Sequence, residues 1–447
     1  MTFQHDERAE RAPVGQPARA ALAAFVGTTI EWYDFYLYAT ASALIFGKLF
    51  FPSGDPFFST LASFGTFAVG FFARPFGGLV FGHLGDRVGR KKALVATLVI
   101  MAVGTVGIGL LPTYAQAGAV APVALVVLRI AQGIAQGIAI GGEWGGAVLM
   151  ASEHASADRR TFVASFAQLG SPAGLILALL AFRLVAGIEH DAFLAWGWRL
   201  PFLASAALLV VGLAIRAGVD ESPEFARMKA QRRTAALPVA DVVRDAWRTL
   251  LLCLGANVIG VAGAWFVNTF MLNYTTQTLG LDRALILDCL FVVAFIQLGT
   301  QLASGWFAQR IGTGRFLTAA AALAIASPYP MFALVSTGRP VAIVVGIAIA
   351  VMCMSSSYAV MAGFMSTAFD VRVRYSAISL SYQLCAALAG GLTPLAGTLL
   401  AHRFAGQWWP LAAFYSALAV VSLACIATLE RGKRVGVGER RGALAKP

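Results

Sequence analysis

Two acidic residues, Glu31 and Asp34, stand in the segment TIEWYDFYLY, inside an apolar run from about Ala20 to Phe46. Residues three apart lie on the same side of an α-helix, and both acids fall near the middle of this run. An acid at the centre of a membrane costs at least ~2.5 kcal/mol to insert, and such residues commonly mark ion or proton pathways. A carboxyl group that alternates between a dry environment and a neighbouring Arg can bind a proton and then release it. We predict that these two acids couple proton movement; the alternative is a fixed ion pair that holds helices together.

A tyrosine and an arginine are placed to act with these acids. Tyr38, four residues after Asp34, lies on the same helical stripe and can hydrogen-bond a carboxylate or a substrate, or simply pack. Arg129, in a later apolar run, is the obvious counter-charge. Its planar guanidinium recognises carboxylates with two hydrogen bonds, which predicts an anionic substrate. Pairing of Arg129 with Glu31 or Asp34 in the empty protein is the alternative, and both can occur in turn.

Uncharged polar residues inside the apolar runs are further candidate substrate contacts. The alternative for each is a hydrogen bond between neighbouring helices, which is their usual role in membrane bundles. These candidates are Gln136, Gln168, Asn268, Tyr274 and Gln383.

The His and Cys residues give no sign of a metal site or of a catalytic nucleophile. The five histidines show no ligand spacing, and the five cysteines have neither CxxC nor metal spacing. The glycines of GGEWGGA lie within a predicted helix, whereas a phosphate-binding loop joins a strand to a helix. We therefore expect no enzyme activity, no metal and no cofactor.

The composition indicates the elements that carry these residues. Of the 447 residues, 58% are hydrophobic and only 13% are charged, whereas soluble domains carry about 25% charged residues. Apolar runs of about 20 residues are long enough to cross a bilayer as helices. The sequence predicts an all-α integral membrane protein with twelve transmembrane helices. Their approximate spans are 20–46, 57–82, 92–112, 121–150, 161–186, 195–217, 248–275, 284–308, 315–337, 340–365, 374–402 and 408–430.

The basic residues predict the orientation of these spans. With the N-terminus in the cytoplasm, most of the 34 Lys and Arg residues fall in cytoplasmic loops and tails. Both termini are therefore predicted to be cytoplasmic. The net charge of +12 follows from this topology, so no nucleic-acid partner is expected.

An internal repeat predicts the domain organisation. The segment GHLGDRVGR begins at Gly82, and GWFAQRIGTGR begins at Gly305, 223 residues later in the second half of the chain. Two six-helix lobes follow from this repeat, with a binding site between them near the midplane. The predicted units are a cytoplasmic tail (1–19), an N-terminal lobe (20–217), a cytoplasmic loop (218–247), a C-terminal lobe (248–430) and a basic tail (431–447).

Five motifs in order resemble one branch of a known superfamily. EWYDFYLY, ARPFGGLVFGHLGDRVGRK, GGEWGGA, WGWRLPF and DESPEF are together similar to the metabolite:proton symporters of the major facilitator superfamily. That branch includes permeases for shikimate, α-ketoglutarate, citrate and proline/betaine. The segments GDPFFSTLASFGTFAVGFFARPFGG and YAQAGAVAPVALVVLR look most like the shikimate-permease type. The resemblance implies a monomer in the bacterial inner membrane that imports a small organic acid with protons by alternating access.

The resemblance also implies a cytoplasmic latch. In this loop signature an acid at a helix terminus pairs with basic residues, and such charge pairs must break when the transporter changes state. Arg74 and Glu143 lie at similar depth, and a structural pair between them, or with Asp86, is expected rather than contact with substrate. The latch residues are Gly82, Asp86, Arg87 and Arg90, with Glu153 as the acid that Arg90 reaches.

The chain departs from the branch pattern at Arg129. The branch places an Arg ten residues before the Glu of GGEWGG, whereas Arg129 stands fourteen residues before Glu143. Four extra residues move it ~6 Å along the helix and ~40° around it. Gln136 keeps the usual register.

Three other functions remain open. A proline/betaine permease belongs to the same branch, but the short C-terminal tail lacks the heptads of many osmosensing members. A drug/proton antiporter shares the fold but not the branch motifs. A non-transporting membrane sensor would not need paired acids at mid-depth.

Overall fold

The structure, a computed structural model, describes residues 16–88, 90–139, 168–217, 244, 246–369 and 374–444. Every regular element in these ranges is helical. Eight helices in the described ranges are long and apolar enough to cross a membrane, and a bent pair, Thr313–Ala326 and Pro328–Val335, makes a ninth candidate. The all-α membrane class is thereby confirmed. The predicted spans 3 and 5 contain shorter apolar helices, Val95–Leu110 and Gly170–Ala186.

The described part of the first half of the chain contains six long helices. These are α1 (Gln16–Ala41), α2 (Pro56–Val88), α3 (Arg90–Leu110), α4 (Val120–Ala139), α5 (Gly170–Ala186) and α6 (Arg199–Ala217). Short helices Tyr114–Ala117 and His190–Ala192 lie in two of the connections. The predicted span 57–82 is shorter than α2, which continues to Val88.

The second half begins with the long helix α7. Its helices are α7 (Trp247–Trp265), α8 (Arg283–Ile311), α9 (Thr313–Ala326), α10 (Pro328–Val335), α11 (Pro340–Ser366), α12 (Arg374–Cys385), α13 (Gly391–Arg403) and α14 (Trp409–Leu444). The predicted break between spans 315–337 and 340–365 is confirmed, because α10 ends at Val335 and α11 begins at Pro340. Helix α14 continues to Leu444, through most of the segment predicted as a basic tail.

Three of the long helices run on through π-helical turns. α1 continues through Ser42–Phe46, α7 through Phe266–Phe270 and Tyr274–Thr278, and α12 through Ala386–Gly390 into α13. The first turns in α1 and α7 lie 224 residues apart, close to the 223-residue repeat seen in the sequence. Such turns frequently occur at functional sites.

Helix packing places α1, α2, α5, α7, α8 and α13 along the boundary between the two halves. Within the first half, α1 packs against α5 and α2 against α4; within the second, α8 packs against α11 and α7 against α14. Across the boundary, α5 packs against α8 and α2 against α13. The α2–α4 contact is very close, since a Cβ atom at Gly137 would lie 1.9 Å from the carbonyl oxygen of Arg74. Small residues allow such backbone approach in membrane bundles.

Candidate functional site

A small cavity lies at the boundary between the two halves. The free space between its lining side chains is about 10 Å³, which is room for about one water molecule, so the two halves pack closely here. None of its lining side chains is charged. The lining residues are Trp32, Ser171, Val261, Ala264, Trp265, Gln297, Met354, Tyr358 and Tyr382.

Aromatic rings form most of one cavity wall. Trp32 of α1 stacks on Trp265 of α7, with ring centroids 6.1 Å apart and planes inclined by 20°. Tyr358 of α11 meets Trp32 edge-on, at 6.2 Å and 88°. Tyr36, one helical turn after Trp32, lies 5.2 Å from Trp265. Sequence reasoning missed these residues, although the spacing of Trp32 and Tyr36 in EWYDFYLY puts them on one face of a helix.

Hydrogen-bonding groups line the rest of the cavity and its border. The hydroxyl groups of Tyr358 and Tyr382 lie 3.3 Å apart. Asn268, a predicted substrate contact, donates to the Gln297 side chain at 3.3 Å. Asn268 thus stands beside the cavity.

The carboxyl group of Asp34 is buried inside the first half of the chain. The side chain is 2% exposed, and neither oxygen receives a hydrogen bond from the described residues. The Thr105 hydroxyl of α3 and the Arg129 guanidinium of α4 are polar neighbours of this carboxyl group. Removing a carboxylate from water without hydrogen bonds is costly.

Arg129 is fully buried near Asp34 but forms no ion pair in the described part of the chain. Its guanidinium lies over the ring of Tyr38, 4.1 Å from the centroid. The Tyr38 hydroxyl donates to Thr66 at 2.6 Å and therefore packs with Arg129 rather than bonding a carboxylate. Gly70 makes room for the arginine, because a Cβ there would lie 2.4 Å from its Nε atom.

Arg74 is a second buried arginine, and it lies nearer to the cavity wall. Its guanidinium is 3.8 Å from the ring centroid of Phe35 and 3.9 Å from that of Phe71. Its charge interacts with Tyr382 and Tyr358, which line the cavity, and with Glu31. Its expected partner Glu143 lies outside the described residues, so that pairing stays a prediction. Glu31 is half-buried and has interaction partners of its own.

The remaining sequence candidates are placed in several environments. Gln383 donates to the Gly137 carbonyl at 3.2 Å and joins α12 to α4 across the boundary. Gln168 is buried and has a partner, whereas the amide of buried Gln136 forms no hydrogen bond with the described residues. Tyr274 packs edge-on against Phe332, with centroids 5.5 Å apart.

The side chains of the predicted cytoplasmic latch lie outside the part of the chain that the structure describes. Glu153 lies outside the described residues, as Glu143 does. The side chains of the other latch residues are likewise outside the described part, although their backbone, where it is described, belongs to α2 and α3. These residues are Gly82, Asp86, Arg87 and Arg90.

Opposite that end of α2, the two halves are held together by several contacts. Arg183 at the end of α5 forms an ion pair with Asp288 of α8. The His402 ring of α13 stacks on Phe57 of α2, with centroids 3.8 Å apart. Asn273 donates to the carbonyl of Ala43, in the π-helical turn that follows α1, at 3.1 Å. The halves are therefore closed against each other at this end.

Comparison with known proteins places the chain among transporters. The family described as sugar (and other) transporter matches residues 20–246. The shikimate transporter of Escherichia coli K12 is 35% identical over 408 residues, covering 90% of this chain and 92% of that protein. The E. coli K12 inner membrane metabolite transport protein YhjE is also 35% identical, covering 88% and 89%. The proline/betaine transporter of E. coli K12 is 30% identical, covering 92% and 82%.

Xylose transporters are among the solved structures that have a similar fold. The crystal structure of a D-xylose–proton symporter superimposes with a TM-score of 0.72 at 17% identity, covering 92% of this chain and 97% of that one. The inward-open conformation of the E. coli xylose transporter XylE gives a TM-score of 0.72 at 16% identity, with coverages of 92% and 95%. At these identities the likeness concerns the fold alone.

Proposed function

Because the chain belongs to the major facilitator superfamily, in its family of sugar (and other) transporters, we propose that it imports a small organic acid together with protons. It is a multi-pass membrane transport protein and not an enzyme. The direction of transport, the coupling ion and the class of substrate go beyond family membership and are our proposal.

The buried carboxyl group of Asp34 is the observation that carries proton coupling. It has no hydrogen bond from the described residues, and the fully buried Arg129 is the cation that acts on it. A carboxyl group in this setting is stable when protonated or when Arg129 compensates its charge. Movement of α1 against α4 during transport changes that balance and lets the proton bind on one side and leave on the other. Glu31, half-buried one turn earlier, is the second acid that this cycle can use.

The transport cycle follows from two six-helix lobes, 20–217 and 248–430, that rock around the cavity. With both termini in the cytoplasm, the contacts of Arg183, His402 and Asn273 close the external side. The cytoplasmic latch then closes the other side in the opposite state. Each lobe moves as a unit, so a monomer is sufficient for the cycle.

The substrate class is supported by the cavity and by the relatives. The hydroxyl and amide groups that line the cavity suit a small polar metabolite. The shikimate transporter is one relative, and a carboxylated ring with hydroxyl groups is consistent with this lining. A zwitterionic osmolyte is the second candidate, since proline/betaine transporters are also relatives. We assign Arg129 as the partner of Asp34. The sequence analysis had left open whether Arg129 pairs with an acid of α1 or binds the substrate.

Uptake by purified protein in liposomes tests the proposal. Radiolabelled shikimate, α-ketoglutarate, citrate, proline and glycine betaine are supplied outside, with the lumen one pH unit more alkaline than the medium. We expect one of the carboxylic acids to accumulate, and a protonophore to abolish the accumulation. Accumulation of betaine or proline alone would favour the osmolyte function, and uptake independent of the pH gradient would refute proton coupling.

A further inference from the structure

Arg74 has an unfilled hydrogen-bonding edge that fits a carboxylate. The side chain is 1% exposed, and its Nε and Nη2 atoms are buried without hydrogen bonds in the part of the chain that the structure describes. These two donors form one edge of the planar guanidinium, the geometry that binds both oxygens of a carboxylate. Buried polar groups are normally satisfied, so two adjacent unfilled donors call for a ligand.

Aromatic rings connect Arg74 to the cavity wall. Phe35 and Phe71 stand 3.8 and 3.9 Å from the guanidinium carbon, and their ring centroids lie 6.0 Å apart, so the guanidinium packs against both rings. The same two rings touch the cavity wall, since Phe71 lies 5.3 Å and Phe35 6.4 Å from Trp265. Arginine binds through its edge when its faces stack on aromatic rings.

Two of the neighbours of Arg74 line the cavity. These are Tyr382 and Tyr358, whose hydroxyl oxygens lie 3.3 Å apart; Arg129 and Glu31 also lie near Arg74. Arg129 has Asp34 and Tyr38 as further neighbours, inside the first half of the chain. Of the two arginines, Arg74 is thus the one beside residues that line the cavity.

We propose that the Nε–Nη2 edge of Arg74 binds the carboxylate of the transported acid, with Tyr358 and Tyr382 completing the anion site across the boundary. This assignment rests on the proposed function, which it deepens by naming the group that recognises the substrate. An anion held by Arg74 of one half and tyrosines of the other draws the halves together, so binding favours the closed state.

The aromatic wall argues against a quaternary ammonium ligand. A cation is attracted by an aromatic face when it lies within about 6 Å of the ring centroid. Trp32 and Trp265 stack on each other at 6.1 Å, which leaves no space for a trimethylammonium group between them. A quaternary ammonium group therefore does not fit between these two rings as they stand.

Binding to the detergent-purified protein tests this assignment without a proton gradient. Calorimetry compares shikimate with its methyl ester, which keeps the ring and hydroxyl groups but lacks the charge. We expect wild type to prefer the acid, and Arg74→Gln to weaken acid binding about 10- to 100-fold, the usual effect of losing hydrogen bonds to a charged group. Arg74→Lys retains the positive charge but cannot form two parallel hydrogen bonds. Its affinity for the acid should therefore lie between those of wild type and Arg74→Gln. Ester binding by Arg74→Gln, equal to wild type, shows that the variant is folded.

Two controls separate this assignment from the proposed function. Arg403→Gln removes an exposed cation at the end of α13 and should leave acid binding unchanged. Tyr382→Phe should weaken binding of the acid more than binding of the ester. Unchanged preference for the acid in Arg74→Gln overturns the assignment and leaves organic-acid import intact. If Arg74→Gln loses the preference for the acid but uptake by wild type does not depend on pH, proton coupling alone is overturned. If wild type binds betaine in place of the acid, both the assignment of Arg74 and organic-acid import are overturned.

Discussion

Replacement of Asp34 by Asn is expected to uncouple transport from the proton gradient. The side chain is 2% exposed and receives no hydrogen bond from the described residues, so Asn fits its place with little change in packing. Asn is neutral in every state and therefore mimics an acid that never releases its proton. Since Asp34 forms no direct ion pair with Arg129, the substitution breaks no salt bridge in the described structure.

The size of the effect follows from the gradient itself. One pH unit is worth 1.36 kcal/mol per proton, which supports about tenfold accumulation of substrate for each proton carried. In liposomes with a one-unit gradient we expect wild type to approach that ratio and Asp34→Asn to reach only equal concentrations inside and outside. Exchange of preloaded substrate requires no net proton movement and should survive in the variant.

Two comparisons make this prediction decisive. Asp191→Asn removes an exposed acid from the short helix His190–Ala192 and should accumulate substrate as wild type does. Glu31→Gln reports whether the second acid contributes. Full accumulation by both Asp34→Asn and Glu31→Gln, at expression levels matched to wild type, would refute the assignment of coupling to these acids.

Three further substitutions test the surroundings of the site. Gly70→Ala puts a Cβ 2.4 Å from the present position of the Arg129 Nε atom and should displace that arginine. Uptake driven by the pH gradient should fall, whereas substrate binding in detergent should persist. Unaltered uptake would contradict the close contact. Trp265→Ala removes a cavity wall and should weaken substrate binding by about 10-fold or more, measured by calorimetry against the exposed control Trp409→Ala. Arg183→Gln removes a solvent-exposed ion pair, so the thermal stability should change by no more than about 1 kcal/mol. Labelling of a cysteine that replaces the buried Ala43, at the contact of Asn273, should rise as the external side opens.

Hydropathy predicted the elements well because membrane spans require long apolar runs. The tenth span was predicted to begin at residue 340, and Pro340 does begin α11. The π-helical turns carry no comparable signal, since they depend on packing against a neighbouring helix. Asn273, which follows the Phe266–Phe270 turn of α7, donates a hydrogen bond to the Ala43 carbonyl in the π-helical turn that follows α1. Only the three-dimensional structure could identify this hydrogen bond.

The candidate site was predicted in part. Spacing placed Glu31 and Asp34 on one side of α1, but three residues still differ by about 60° around the axis. That angle is enough to point Asp34 towards α3 and α4 while Glu31 interacts with Arg74. Sequence gives the depth of a residue in a helix but not the residue that faces it. For this reason the link of Arg74 to the cavity tyrosines was not predicted.

The most direct test of proton-coupled import is the movement of protons caused by substrate alone. Liposomes containing the protein and a trapped pH-sensitive dye start with equal pH on both sides, and the acid identified by uptake is then added outside. The lumen should acidify for wild type, at a rate that rises with substrate concentration, and should stay constant for Asp34→Asn. Substrate entry into wild-type liposomes without any change in lumenal pH would contradict the account.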